Sequence, residues 1–227
     1  MNEWKIYPTR SELDEALAGH LAAALSADLT TQPRSSIALS GGSTPKDMFR
    51  CLSAADLDWP RVDVTLVDER WVDYDHPDSN AELVRSCLLQ GPAASAHFLG
   101  LKTATPDINA AVPAVSEALA GLQRPFTAVV LGMGGDGHTA SWFPQATNLA
   151  QLLDLNNSAR VAATDPVTAP HLRMTLTLAA VLDSHHIHLH LTGADKRAVL
   201  ESAVATGYPV ASILTQTVTP VTIWWAP

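Results

Sequence analysis

Short apolar runs alternate with helix-length segments along almost the whole chain, and this alternation leaves few folds open. SSIALS (35–40), VDVTLV (62–67), TAVVL (127–131), VAA (161–163), HIHLHL (186–191) and VTIWW (221–225) read as strands, with WKIY (4–7) as a shorter one. Between them, residues 11–26 repeat Leu13, Leu17, Leu21 and Leu25 every four positions, with Ser11 as a candidate N-cap. Residues 45–52 read as a helix whose Pro45 suits the first turn, and 79–89, 107–122 and 194–205 are further helices. After Thr127, TAVVL is a continuous apolar run, as expected of a parallel strand covered on both faces. Strands separated by helices predict an α/β fold: three layers, with a mostly parallel Rossmann-like sheet and helices on both faces. No repeat, low-complexity tract or long linker divides the 227 residues, so a single domain over 1–227 is expected.

Charge narrows the functional classes. Lys plus Arg number 14 and Asp plus Glu 23, a formal charge of −9. Nucleic-acid binding is not expected of such a surface, and an anionic ligand must be gripped by a local cluster of the few cations. Two cysteines, Cys51 and Cys87, are too few for a disulfide framework and fit a reducing compartment. The first residues, MNEWK, lack the cationic-then-apolar pattern of a secretory signal, and no run of 18 apolar residues occurs. The expectation is a cytoplasmic protein with no membrane partner, as a monomer or homodimer.

In open α/β sheets, ligands sit beyond the carboxyl ends of the strands. Three of those ends carry unusual residues. SGGSTP (40–45) places Gly41 and Gly42 before a helix start, so that backbone N–H groups and the Ser43 and Thr44 hydroxyls can cradle an anion. The same segment also reads as a strand–helix turn with an N-cap. DERW (68–71) follows an apolar strand: Arg70 can grip a phosphate in a bidentate way and Asp68 can orient a sugar hydroxyl or a cation, while a solvated strand end with a local ion pair is the plainer alternative. LGMGGDGHT (131–139) packs four glycines into six residues ahead of His138, with Asp136 two positions earlier to orient it. A histidine at the mouth of a cleft can accept a proton near neutral pH.

Gly132, Gly134 and Gly137 also spell G-x-G-x-x-G, with Asp154 22 positions past Gly132. This dinucleotide fingerprint needs a long helix behind it, and Trp142-Phe143-Pro144 interrupts the chain too soon. Arg173 precedes an apolar stretch. Lys196 sits in TGADKR (192–197) at a helix start, where a cation opposes the helix dipole unless an anion is bound; its alternative is a solvated pairing with Asp195 or Glu201. His186, His188 and His190 share one strand face and could hold a metal, but no cysteine or carboxylate pair completes a site, so packing beneath a helix is the favoured reading. Trp224 and Trp225 read as packing for the last strand.

Together, SGGSTP (40–45), DERWV (68–72), DSN (78–80), LGMGGDGHTASWFP (131–144), RMTLTL (173–178) and TGADKR (192–197) resemble the 6-phosphogluconolactonases, the lactonase branch of the fold shared with glucosamine-6-phosphate isomerase/deaminase. The segments keep the family's order and span nearly the whole chain; Gly135 departs from it, standing where proline is more usual. The resemblance implies hydrolysis of 6-phospho-D-glucono-1,5-lactone in the pentose phosphate pathway, with no metal and no organic cofactor. It implies that His138 is the general base, that Arg70 and Lys196 hold the phosphate, that Gly42 and Thr44 line the substrate, and that Asn80 and Arg173 lie near the pocket. On the residues' own chemistry, Asp136 is expected to support His138, Gly41 and Ser43 to join the cradle, and Asp68 to stand beside the sugar.

Two rival functions differ at particular residues. The deaminase branch carries an acidic residue before the proline that follows its histidine loop, where this chain has Phe143. A sugar-phosphate sensor of the same fold would bring a DNA-binding segment, and residues 1–35 hold one strand and one helix with no helix-turn-helix. The absence of a G-x-S-x-G elbow argues against a serine hydrolase.

Overall fold

The computed structural model describes residues 2–227, and Met1 lies outside them. The elements run in the order β1 (Glu3–Ile6), α1 (Arg10–Leu29), β2 (Ser35–Leu39), α2 (Lys46–Ser53), β3 (Val62–Leu66), β4 (Asp68–Arg70), α3 (Asn80–Cys87), β5 (His97–Leu99), α4 (Ile108–Ala120), β6 (Ala128–Leu131), α5 (Leu149–Leu152), β7 (Val161–Thr164), β8 (Arg173–Leu176), α6 (Leu178–Leu182), β9 (Ile187–Thr192), α7 (Ala194–Thr206), α8 (Ala211–Thr215) and β10 (Val221–Ala226). Seven strands form one parallel sheet in the order β1–β10–β9–β6–β2–β3–β5. From β2 the chain steps outward through β3 to β5; from β6 it steps the other way through β9 to β10. The order therefore reverses between β2 and β6, the place where such sheets open a crevice.

Burial explains the central strands. Every residue of β2, β3 and β6 is buried, which only strands covered on both faces achieve. On one face α1 lays Leu13, Leu17, Leu21 and Leu25, all fully buried, against β2, β6 and β10. Its N-cap is Thr9, whose Oγ1 accepts the Glu12 N–H at 3.2 Å; the expected cap, Ser11, instead bonds Glu15 one turn on. The histidine strand does pack beneath a helix. His188 lies edge-on to His20 of α1 at 5.1 Å and accepts the Trp224 indole N–H at 3.1 Å, and His190 Nε2 lies 2.9 Å from buried Asp14. On the other face of β9 packs α7.

Of a second, antiparallel sheet, β4–β8–β7, only β7 was legible in the sequence, as VAA (161–163). Its strands are three or four residues long, and two of them carry charged side chains at the strand ends. The two charged ones, β4 and β8, pass in the sequence for loop or strand-end residues, because two or three alternations define no period. The sheet stands beside the crevice and brings Arg70 directly opposite Arg173.

Candidate active site

The loops after β2 and β6, the start of α7 and the β4–β8 ribbon enclose a cleft of about 460 Å³. Gly41, Gly42, Ser43, Thr44, Asp68, Arg70, Asn80, His138, Arg173 and Lys196 all line it. Asp136 does not, and meets the cleft only through His138.

No helix follows the glycine loop after β6, as the interrupted fingerprint requires. Instead the loop folds back on itself. Gly134 N–H donates to the His138 carbonyl at 2.8 Å, and the Thr139 hydroxyl donates to the Gly132 carbonyl at 2.8 Å. His138 Nδ1–H then donates to Asp136 Oδ1 at 2.5 Å, while the ring stacks on Phe143 with centroids 4.1 Å apart. With Nδ1–H committed to a carboxylate, the neutral imidazole carries its lone pair at Nε2. Burial pushes the Asp136 carboxyl up, but the His138 ring and N–H beside it outweigh burial and hold it below the ordinary range. Gly134 is required by proximity: a Cβ there would lie 2.2 Å from His138 Cε1 and Nδ1.

Three cations face the same space. Lys196 reaches in from the first turn of α7, its Nζ donating to the Met133 carbonyl at 2.6 Å, and pairs with neither Asp195 nor Glu201; Arg197 takes Glu201 instead. Burial lowers the Lys196 pKa, with Asp136 opposing. Arg70 and Arg173 occupy facing positions on β4 and β8, where like charges repel. Arg70 Nη1 donates to the Asp78 carbonyl at 2.6 Å and Arg173 Nη2 to the Pro170 carbonyl at 3.0 Å. Both Nε–H groups are buried without a partner. Burial also lowers the Arg173 pKa. Two opposed guanidiniums with orphaned donors make a receptor for an anion such as a phosphate. Alongside, the cleft-lining Ser43, Thr44 and Pro45 lead into α2, whose N-terminus has no side-chain cap.

The acidic residues of DERW divide by strand alternation. Asp68 faces the cleft, accepting Ser141 Oγ–H at 2.6 Å, and Asn80 Nδ2–H bonds its carbonyl at 2.8 Å. The Asn80 amide presses on Gly41, where a Cβ would come within 1.9 Å of its Oδ1. Glu69 points the other way, fully buried, and accepts the N–H groups of Arg70, Asn80 and Ala81 at 2.8 Å each. Burial raises its pKa despite those bonds. It bolts the start of α3 to β4, a role that period-two alternation along residues 68–70 would have signalled.

Sequence reasoning missed several lining residues. Phe143 forms the face on which His138 stacks, and His190 forms part of the floor. Asp78 and His171 meet across the rim, Oδ2 to Nε2, at 3.1 Å. With His76 they form a cluster whose ligand-type atoms lie within 4.8 Å of one another. Their observed bonding is internal, because His76 Nδ1 accepts the Asp78 N–H at 3.1 Å. Only the DSN motif hinted at this corner.

Among the described residues, no helix is long and apolar enough to cross a membrane. The model of the glucosamine-6-phosphate isomerase/6-phosphogluconolactonase family matches residues 8–224. A curated 6-phosphogluconolactonase of Mesorhizobium japonicum is 42% identical over 226 residues, covering 99% of this chain and 95% of the relative. One of Rhizobium meliloti is 41% identical, with 98% and 97% covered. The crystal structure of a 6-phosphogluconolactonase from Shewanella baltica superposes with a TM-score of 0.97 at 41% identity, over 100% of this chain and 98% of that one.

Proposed function

The chain belongs to the glucosamine-6-phosphate isomerase/6-phosphogluconolactonase family, and from that premise we propose that it hydrolyses 6-phospho-D-glucono-1,5-lactone to 6-phosphogluconate in the pentose phosphate pathway. One observation carries the reading: a histidine–aspartate dyad with a free Nε2 shares its cleft with two arginines whose Nε–H groups are buried and unpartnered. A phosphorylated substrate with an electrophilic carbonyl needs both.

A lactone carbonyl is electrophilic already, so a positioned water and a base suffice. His138 Nε2 takes a proton from the water as its oxygen bonds to C1. Asp136 stabilises the imidazolium that results. As the tetrahedral intermediate collapses, the C1–ring-oxygen bond breaks and the imidazolium returns the proton to the departing oxygen. N–H groups of the glycine loops or a guanidinium steady the developing oxyanion. Arg70, Arg173 and Lys196, with Ser43 and Thr44, hold the phosphate, while Asp68 and Asn80 meet the sugar. The reaction calls for no metal or organic cofactor, and a cytoplasmic setting suits it. Phe143 weighs against deamination, since it occupies the position of that branch's acidic residue and stacks on the base.

The test is hydrolysis of freshly made 6-phosphogluconolactone against its spontaneous background, with glucosamine 6-phosphate and unphosphorylated gluconolactone as controls. His138→Gln should lower kcat by about 10²–10⁴-fold with the fold retained. No enhancement by the wild type would refute the function. Near-normal turnover by His138→Gln would refute the base.

A further inference from the structure

We propose that Asp78 and His171 are positioning residues: they latch together the two loops that hold Arg70 and Arg173, fixing the pair at the spacing that receives a phosphate. The inference rests on the function proposed above. Facing guanidiniums push apart, so each needs an outside anchor. Arg70 takes the Asp78 carbonyl and Arg173 takes the Pro170 carbonyl, each on a different loop. The side chains of those same loops close the circuit, with His171 Nε2–H donating to Asp78 Oδ2 at 3.1 Å. His76 braces the joint: its ring meets His171 edge-on at 5.3 Å and its Nδ1 accepts the Asp78 N–H. His171 adopts φ +70, a conformation that favours glycine, and its side-chain bond gives a reason for histidine there. The carboxylate of Asp78 is held below its ordinary range first by His171.

The sign of one substitution separates this latch from simple electrostatics. Asp78 lines the cleft beside the arginines. If it acted only through its charge, Asp78→Asn would tighten the binding of an anion. The latch demands the reverse. Calorimetry of the full chain with 6-phosphogluconate should show Asp78→Asn and His171→Ala each weakening binding about three- to fivefold, the range an exposed pair can supply. The double variant should be no weaker than the worse single. His171→Gln, whose amide can still donate, should recover most of the loss. In turnover, KM should rise more than kcat falls. Tightened or unaltered binding in Asp78→Asn, or additive losses, would overturn the latch. Wild type that binds 6-phosphogluconate but does not hydrolyse the lactone would sink the function and leave the latch standing; wild type that binds none would sink the latch too.

Discussion

Gly134→Ala should silence the enzyme without unfolding it. The φ at Gly134 lies outside the positive region, so its backbone accepts alanine. The new Cβ would come 2.2 Å from His138 Cε1 and Nδ1 and 2.6 Å from Asp136 Oδ1, at least about 0.8 Å inside ordinary contact. Both side chains keep a route to solvent, with 28% and 41% of their surface exposed, so they can swing clear rather than break the loop. Losing such a half-exposed pair costs up to about 1 kcal/mol, or a Tm shift of roughly 2–4 °C for a chain of this size. The catalytic cost is larger, because a reacting group displaced by about 1 Å forfeits on the order of 10²-fold in rate. Initial rates on fresh lactone and a melting curve on the same sample read both quantities. Gly135→Ala is the control, since a Cβ there meets nothing within 4 Å and should leave both unchanged. Gly134→Ala with kcat within about threefold of wild type would refute the dyad geometry. So would a collapse of Tm with activity per folded molecule intact.

Two further outcomes concern pH. Burial lowers the Lys196 pKa, so its cation is lost at a pH below the ordinary lysine range, and 6-phosphogluconate binding should weaken as pH rises through that point; Lys196→Arg should shift the loss upward, and an unshifted curve would remove Lys196 from the phosphate site. At the β3–β5 edge, burial raises the Asp63 carboxyl but the bonds from Arg34 and His97 outweigh it, leaving it depressed in the folded state. Its stabilisation is therefore present above the unfolded carboxylate pKa and lost as pH falls through the folded one. Asp63→Asn should cost about 1–2 kcal/mol at pH 7 and progressively less in acid, read as Tm against pH; a pH-independent difference would contradict the linkage.

Six of the seven strands of the main sheet were legible because they are long enough and apolar enough to show a pattern, and because glycine and charge cluster where several of them end; the edge strand β5, three residues beginning with His97, was not. TAVVL and the four-leucine repeat of α1 led directly to β6 and to the helix that covers it. Eight of the ten lining residues were legible for a like reason, since they sit after strands, next to glycine or in a charged run; Asn80 and Arg173 were placed near the pocket by the family resemblance. What stayed hidden depends on pairing at a distance. No local feature says that residue 70 will face residue 173, or that residue 78 will meet residue 171. Glu69 went unassigned for a different reason, since in a run of three adjacent charges it is the strand's alternation, once the strand is recognised, that assigns them to opposite faces.

The placement of β10 bears on how the molecule assembles. The strand made of residues 221–226 lies inside the sheet, with β9 on one side and β1, residues 3–6, on the other. Strand β1 therefore has no hydrogen-bonding partner in this sheet until residues 221–226, far along the chain, have emerged from the ribosome. Until then the β9 flank of the nascent sheet lies open, a waiting template for any stray strand. Pairings of such sequence separation close slowly. Once in place, β1 becomes the rim, and its alternating Glu3 and Lys5 supply the charges that keep a finished edge from recruiting another chain.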